Sequence, residues 1–219
     1  MEVRSSDDLR ERYRQPGERA RRKQLDRLDP HCRRFVELSP FAVLATAGPD
    51  GLADATPRGG EPGFCHVLDE HTLLLPDRPG NNRLDSLTNL VSQEPEAPTP
   101  PGPQTGRRWR PGGVGLLFLI PGVDETLRVN GTAELRDDEE LLARFEADGR
   151  RPTTVLVVRV REAYLHCGKA LMRARLWDPA SLVERSSLPS MGEMLRDQLG
   201  LAHAETQAEM VERYRETLY

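Results

Sequence analysis

Phe41-Ala42-Val43-Leu44-Ala45-Thr46 runs into Gly48-Pro49-Asp50-Gly51, and Leu52 to Thr56 returns from it. Asp-Gly supplies the positive φ that tight hairpins favour, so this stretch predicts two antiparallel strands. The same signals recur downstream. Pro57-Arg58-Gly59-Gly60-Glu61-Pro62-Gly63 is rich in breakers and reads as a loop. Phe64 to Leu68 and Thr72 to Leu75 form a second hairpin around Asp69-Glu70-His71. Val114 to Ile120 is a near-continuous apolar strand. Thr126 to Leu135 alternates, with Leu127, Val129, Gly131, Ala133 and Leu135 on one face. Gly131 in mid-strand points to a bulge or a close backbone approach. Thr153 to Val160 is the last clear strand. Six or so mostly antiparallel strands with tight turns and flanking helices favour a mainly β fold, a small closed or partly closed barrel.

Helical signals flank this set. Residues 1–39 are polar and helical, broken at Gln15-Pro16-Gly17 and Asp29-Pro30, with Phe35, Val36 and Leu38 turned inward on the last helix. Leu84, Leu87 and Leu90 have helical spacing. Asp137-Asp138-Glu139-Glu140 opens a helix reaching to about Ala147, and about Ser190 to Leu218 is helical. The expected organisation is an N-terminal helical segment (1–39), a barrel (40–180) and a C-terminal helical extension (181–219). Within the barrel, residues 94–113 hold six prolines and four glycines. That composition forbids a strand or helix of any length. The segment reads as an inserted loop, either a surface excursion or a lid carrying Arg107-Arg108-Trp109-Arg110.

Composition narrows the function. The chain has 219 residues, enough to build a core without disulfides, and a net charge of −4 with both signs interspersed. No basic field of the kind nucleic acid needs is present, and the locally basic Arg19 to Lys23 is flanked by acids. No apolar run approaches the roughly 20 residues of a membrane span, and no secretory core follows Met1. A cytoplasmic protein with reduced thiols is expected. Each cysteine adjoins a histidine (His31-Cys32, Cys65-His66, His166-Cys167), yet neighbours on a strand face opposite ways and no Cys-x-x-Cys spacing exists. A buried thiol beside a polar histidine is the better reading than zinc. No Ser-His-Asp set, Walker loop or dinucleotide fingerprint is legible.

Two stretches point to an anion. Leu75-Pro76-Asp77-Arg78-Pro79-Gly80-Asn81-Asn82-Arg83 carries a strand end through a turn into a short helix. Arg58 lies upstream between a proline and two glycines. Arginine is a planar two-pronged donor suited to phosphate. Arg83 at a helix start opposes the helix dipole, which a bound anion would relieve. Arg58 and Arg83, read as turn residues, together with Asn81 and Asn82 form the candidate phosphate cradle, while Arg78 is expected to brace the turn. Lys169 to Trp177 packs Lys169, Arg173, Arg175 and Trp177 into nine residues. It is either a solvated edge or a cationic, aromatic wall beside an anionic or planar ligand.

Set in order, Ser39-Pro40-Phe41, Asp54 to Gly59, Pro76 to Arg83, Leu116 to Gly122, Leu127 to Gly131 and His166 to Ala170 resemble the pyridoxamine 5′-phosphate oxidase-like family of FMN-binding split barrels, in an actinobacterial-type branch. The resemblance covers about residues 30–180. It implies a homodimer with FMN at the subunit interface. It implies phosphate contacts from Arg58, Asn82 and Arg83, and a polar side chain near the ring from Thr126 or Arg128. It also implies that Trp177, with Arg173 or Arg175, approaches the ring from the partner subunit, and that Lys169 helps shape the substrate side. The chain lacks the C-terminal Arg-Leu-x-Pro pattern of the true oxidases and ends in a polar helix. An FMN-dependent oxidoreductase acting on a small molecule other than vitamin B6 is therefore expected. A carrier of flavin, deazaflavin or a haem-type planar ligand is the alternative, and an adaptor using the Arg/Trp loop is a third reading. Replacing Arg58 and Arg83 together is expected to abolish FMN retention with little loss of fold.

Overall fold

The computed structural model of the protein describes residues 2–92, 112–147 and 149–215. The predicted insert at 94–113 lies outside the described residues, except for Gly112 and Gly113, which open a strand. Seven strands form one antiparallel sheet: β1 (Phe41–Ala47), β2 (Ala53–Gly59), β3 (His66–Asp69), β4 (Thr72–Asp77), β5 (Gly112–Leu119), β6 (Thr126–Arg136) and β7 (Thr154–His166). Their spatial order is β2-β1-β5-β6-β7-β4-β3, so β2 and β3 are the two edges. Arg58 on β2 nevertheless reaches Asp77 on β4. The sheet therefore curls until one edge faces the strands at the other, leaving an open seam. This is the expected mainly β, barrel-like fold, unclosed.

The inner face carries the core. Ala42, Leu44, Leu73, Leu75, Leu116, Phe118, Leu127, Val129, Leu156 and Val158 are buried there at alternating strand positions. Among the described residues, eight α-helices flank the sheet: α1 (Ser6–Arg12), α2 (Glu18–Arg22), α3 (Pro30–Leu38), α4 (Asp85–Val91), α5 (Glu139–Ala143), α6 (Lys169–Ala174), α7 (Met191–Leu199) and α8 (Gln207–Arg215). Asp29 caps α3 by accepting the Cys32 N–H at 2.8 Å, with Pro30 in the first turn. Cys32, Phe35 and Val36 of α3, and Leu87 and Leu90 of α4, cover the barrel core. On the outer face, Leu74, Val155 and Val157 make a second cluster with Phe145 and the helix α5.

Several boundaries differ from the sequence reading. Pro57-Arg58-Gly59 continues β2 instead of forming a loop, with Pro57 opposite Val43. An edge strand tolerates proline because its outward N–H has no ladder partner to lose. β7 runs on to His166, its polar outward residues masking the strand beyond Val160. The bulge at Asn130/Gly131 falls where Gly131 predicted it, and a Cβ there would overlap the Arg159 carbonyl. Leu38 is exposed, and so is Leu84, which sits at the N-cap of α4 with φ of 60° rather than on its buried face. α5 ends at Ala143. The C-terminal helix is interrupted at Gly200, whose φ of 67° caps α7. Among the described residues, no helix is long and apolar enough to cross a membrane.

Candidate functional site

The seam holds the site. β2 turns Asp54, Thr56 and Arg58 inward at alternate positions, so this edge strand has a polar inner face. Each finds a partner across the gap. Asn89 Nδ2 donates to Asp54 Oδ2 at 2.6 Å and to Thr46 Oγ1 at 3.1 Å. Thr56 and Ser86 hydroxyls lie 2.8 Å apart. The Arg58 guanidinium pairs with the Asp77 carboxylate, and the two side chains are only 18% and 12% exposed. These three links tie β2 to α4 and β4. They leave a groove of about 1400 Å³ along the seam, floored by Asp77, Leu135 and Thr154.

Arg58, Asn81, Asn82 and Arg83 all line this groove. Arg58 is thus on a strand, inside an ion pair, which corrects its placement on a turn. Its removal costs stability as well as a donor. Two buried polar atoms in the groove, Arg58 Nε and Thr154 Oγ1, have no hydrogen-bond partner among the described residues. An orphaned buried donor costs about 1–3 kcal/mol, so a ligand oxygen on it is favoured. The turn before α4 is strained, with Asn82 at φ 57° and Leu84 at φ 60°. Asn81 Oδ1 accepts the Arg83 N–H at 3.1 Å and so braces that turn. Arg83 is exposed, its Nε 2.8 Å from Asp85 Oδ2, so the first-turn carboxylate offsets the cation at the helix start. Arg78 braces as expected, donating to the carbonyls of Phe145 at 2.6 Å and Arg150 at 3.3 Å.

The other six sequence candidates lie outside this groove. β6 reaches it at Leu135. Arg128 is seven residues back along the strand and Thr126 nine, about 23 and 30 Å at ~3.3 Å per residue. Thr126 is buried. Arg128 donates to Glu162 Oε1 at 2.6 Å and stacks 4.3 Å from the Tyr164 ring centroid. Burial, then the nearby charges of Arg128 and Lys23, hold His166 below the usual imidazole range. Trp177 Nε1 donates to the Val123 carbonyl at 2.9 Å. Arg175 pairs with Asp178 at 2.6 Å, and Lys169 and Arg173 are exposed on α6. Within one chain the phosphate-side and ring-side candidates stand at opposite ends of the sheet.

The sequence reading missed Asp77, Ser86, Thr154 and the pair His66–Phe145, which stacks at 4.1 Å with the rings 20° apart at the groove's other end. Asp77 lies in the stretch already singled out, but its partner becomes visible only once the sheet curls. Among the described residues, no cluster of three or more His, Cys, Asp or Glu is placed to hold a metal.

The family model described as pyridoxamine 5′-phosphate oxidase matches residues 28–167. No curated protein matches the chain. Among solved structures, it is similar to a Lactobacillus delbrueckii protein described as a candidate pyridoxamine 5′-phosphate oxidase, at 20% identity over 65% of this chain and 98% of that one, with a TM-score of 0.45. It is similar to HupZ of Group A Streptococcus at 13% identity over 63% and 92%, TM-score 0.45. A Clostridium acetobutylicum protein related to general stress protein 26 aligns at 13% identity over 62% and 85%, TM-score 0.39.

Proposed function

We propose that this chain, which belongs to the pyridoxamine 5′-phosphate oxidase family, is an FMN-dependent oxidoreductase that grips the cofactor's phosphate in the seam of its barrel. The observation that carries the reading is Arg58. It is a largely buried guanidinium fixed by Asp77, with an Nε that finds no acceptor among the described residues. It shares a groove with the strained Asn81–Arg83 turn. A phosphate of about −1.5 to −2 charge suits two arginines, each of which is partly neutralised by its own carboxylate, Asp77 for Arg58 and Asp85 for Arg83. The groove's size and donors fit the group. When bound, FMN supplies hydride or electron transfer.

The remaining residues bind, orient and exclude water. Arg58 Nε and the Thr154 hydroxyl offer hydrogen bonds from the groove floor. Asn82 and Arg83 close over the anion from the turn. Asp77 keeps Arg58 in one rotamer, so little side-chain entropy is lost on binding. Thr126, Arg128, Lys169, Arg173, Arg175 and Trp177 are too far along the sheet to serve the groove of their own chain. In this reading they face the cofactor of a second copy, and the protein is a homodimer. Mass spectrometry of the chromophore in purified protein tests the reading. One FMN per chain is expected. A deazaflavin, a haem or a colourless protein that ignores added FMN contradicts it.

A further inference from the structure

At the end of the groove away from Arg83, His66 on β3 stacks on Phe145, with ring centroids 4.1 Å apart. Phe64, two residues before His66, lines the same wall. His66 lies opposite Leu74 on β4, three residues from Asp77. At ~3.3 Å per residue, the aromatic wall is about 10 Å along the strand from the Arg58–Asp77 pair. The groove's volume of about 1400 Å³ exceeds the roughly 300–1,000 Å³ that one small ligand fills, so this end has room of its own.

Its chemistry is distinct from the phosphate end. His66 is exposed and lines the groove, and its ring nitrogens make no hydrogen bond within the described residues. The charged groups that share the groove with it are Arg58, Glu61, Asp77, Arg78, Arg83, Asp85, Arg144, Glu146 and Arg150, and Arg83 is paired with Asp85. Asp77 is bound to Arg58, and Glu146 to Arg151. Arg78 is turned onto backbone carbonyls. Among the described residues Arg144 holds only Glu140, at 3.1 Å, and keeps 43% of its side chain exposed. A stacked, neutral, hydrogen-bonding imidazole beside an accessible guanidinium suits a flat ring carrying one negative charge.

We propose that the His66–Phe145 end of the seam is a separate subsite for a planar aromatic carboxylate, whose ring packs on His66, itself stacked on the buried Phe145, and whose carboxylate pairs with Arg144. The subsite does not depend on the cofactor reading and is testable in flavin-free protein. Desolvation, and secondarily the Arg144 charge, hold His66 below the usual imidazole range.

The test follows the His66 imidazole signals by NMR in the full chain, assigned with His66→Gln, while benzoate, benzyl alcohol or acetate is added. Benzoate is expected to shift and saturate these signals with a Kd of about 1–10 mM, the range fragments of its size reach. Benzyl alcohol and acetate are expected to bind at least about 10-fold more weakly, because each lacks one of the two recognised features. Arg144→Gln, an exposed position, is expected to weaken benzoate about 10-fold. The proposal is overturned if benzoate leaves His66 unmoved at about 50 mM, if acetate matches it, or if Arg144→Gln binds it unchanged. Because FMN is absent throughout, a chain that takes no flavin can still pass.

Discussion

The ion pair across the seam can be removed one side at a time. Arg58→Ala leaves the Asp77 carboxylate, 12% exposed, without its countercharge. Breaking a fully buried pair costs about 3–5 kcal/mol, and an exposed pair is worth about 0–1. With both side chains mostly but not wholly buried, the expected cost is about 2–3 kcal/mol. At an m-value of about 2 kcal/mol/M in urea, the midpoint falls by about 1–1.5 M. The Thr56–Ser86 and Asp54–Asn89 links remain, so the chain still folds. Asp77→Ala is expected to cost a similar amount, and the double variant less than the sum, because neither charge is then stranded. The two single variants separate by function: Arg58→Ala loses FMN, whereas Asp77→Ala keeps its donor and retains the cofactor. Equilibrium urea unfolding followed by circular dichroism reads the first effect, and flavin content after gel filtration reads the second. A midpoint for Arg58→Ala within about 0.2 M of the parent would refute the pair as a structural tie.

Three further outcomes follow from the geometry. Gly131→Ala pushes a methyl into the Arg159 carbonyl across the β6–β7 bulge, while Gly113→Ala meets nothing within 4 Å; overpacking costs about 1–3 kcal/mol, so only the first should lower the urea midpoint. Burial pushes the Cys32 thiol up to about 12, with Asp29 adding to it, and raises Cys65 well above its usual range by burial alone, whereas Cys167 is exposed. A thiol reagent at pH 8 should therefore modify one cysteine in native protein and three in urea, and fast native labelling of two or more would contradict the buried placement. His66 and His166 are both held below 6.5 in the fold, each by burial first. The unfolded chain then binds more protons just below pH 6.5, so stability is full above that pH and falls as the pH drops through that window; a urea midpoint that rises on going from pH 7 to pH 5.5 would contradict this sign.

Local chemistry was legible where it governed the backbone directly. Asp50-Gly51 marks its hairpin, with Gly51 at φ 80°, and Gly131 marks the bulge. The Asn81–Arg83 turn is recognisable because few residues other than asparagine and glycine hold such a backbone cheaply. Pro57 misled because breaker residues carry no label for the edge of a sheet. The polar outward face of β7 hid its last six residues. Arg58 and Asp77 are nineteen positions apart on strands that are not neighbours in the sheet, and His66 and Phe145 are farther apart still. Such pairings depend on how the sheet curls, which no local pattern encodes. The same holds for Arg128 and Thr126, whose strand carries them away from the groove that their neighbour Leu135 lines.

The central claim is that the seam recognises the phosphate of FMN. Flavin-free protein titrated with FMN and with riboflavin, followed by flavin fluorescence, tests it most directly. Charge-assisted bonds are worth about 1.5–3 kcal/mol each, so FMN should bind at least about 100-fold more tightly, and Arg83→Ala should narrow that gap without lowering the urea midpoint. Equal affinities for the two flavins, or a preference that survives loss of both Arg58 and Arg83, would contradict the account.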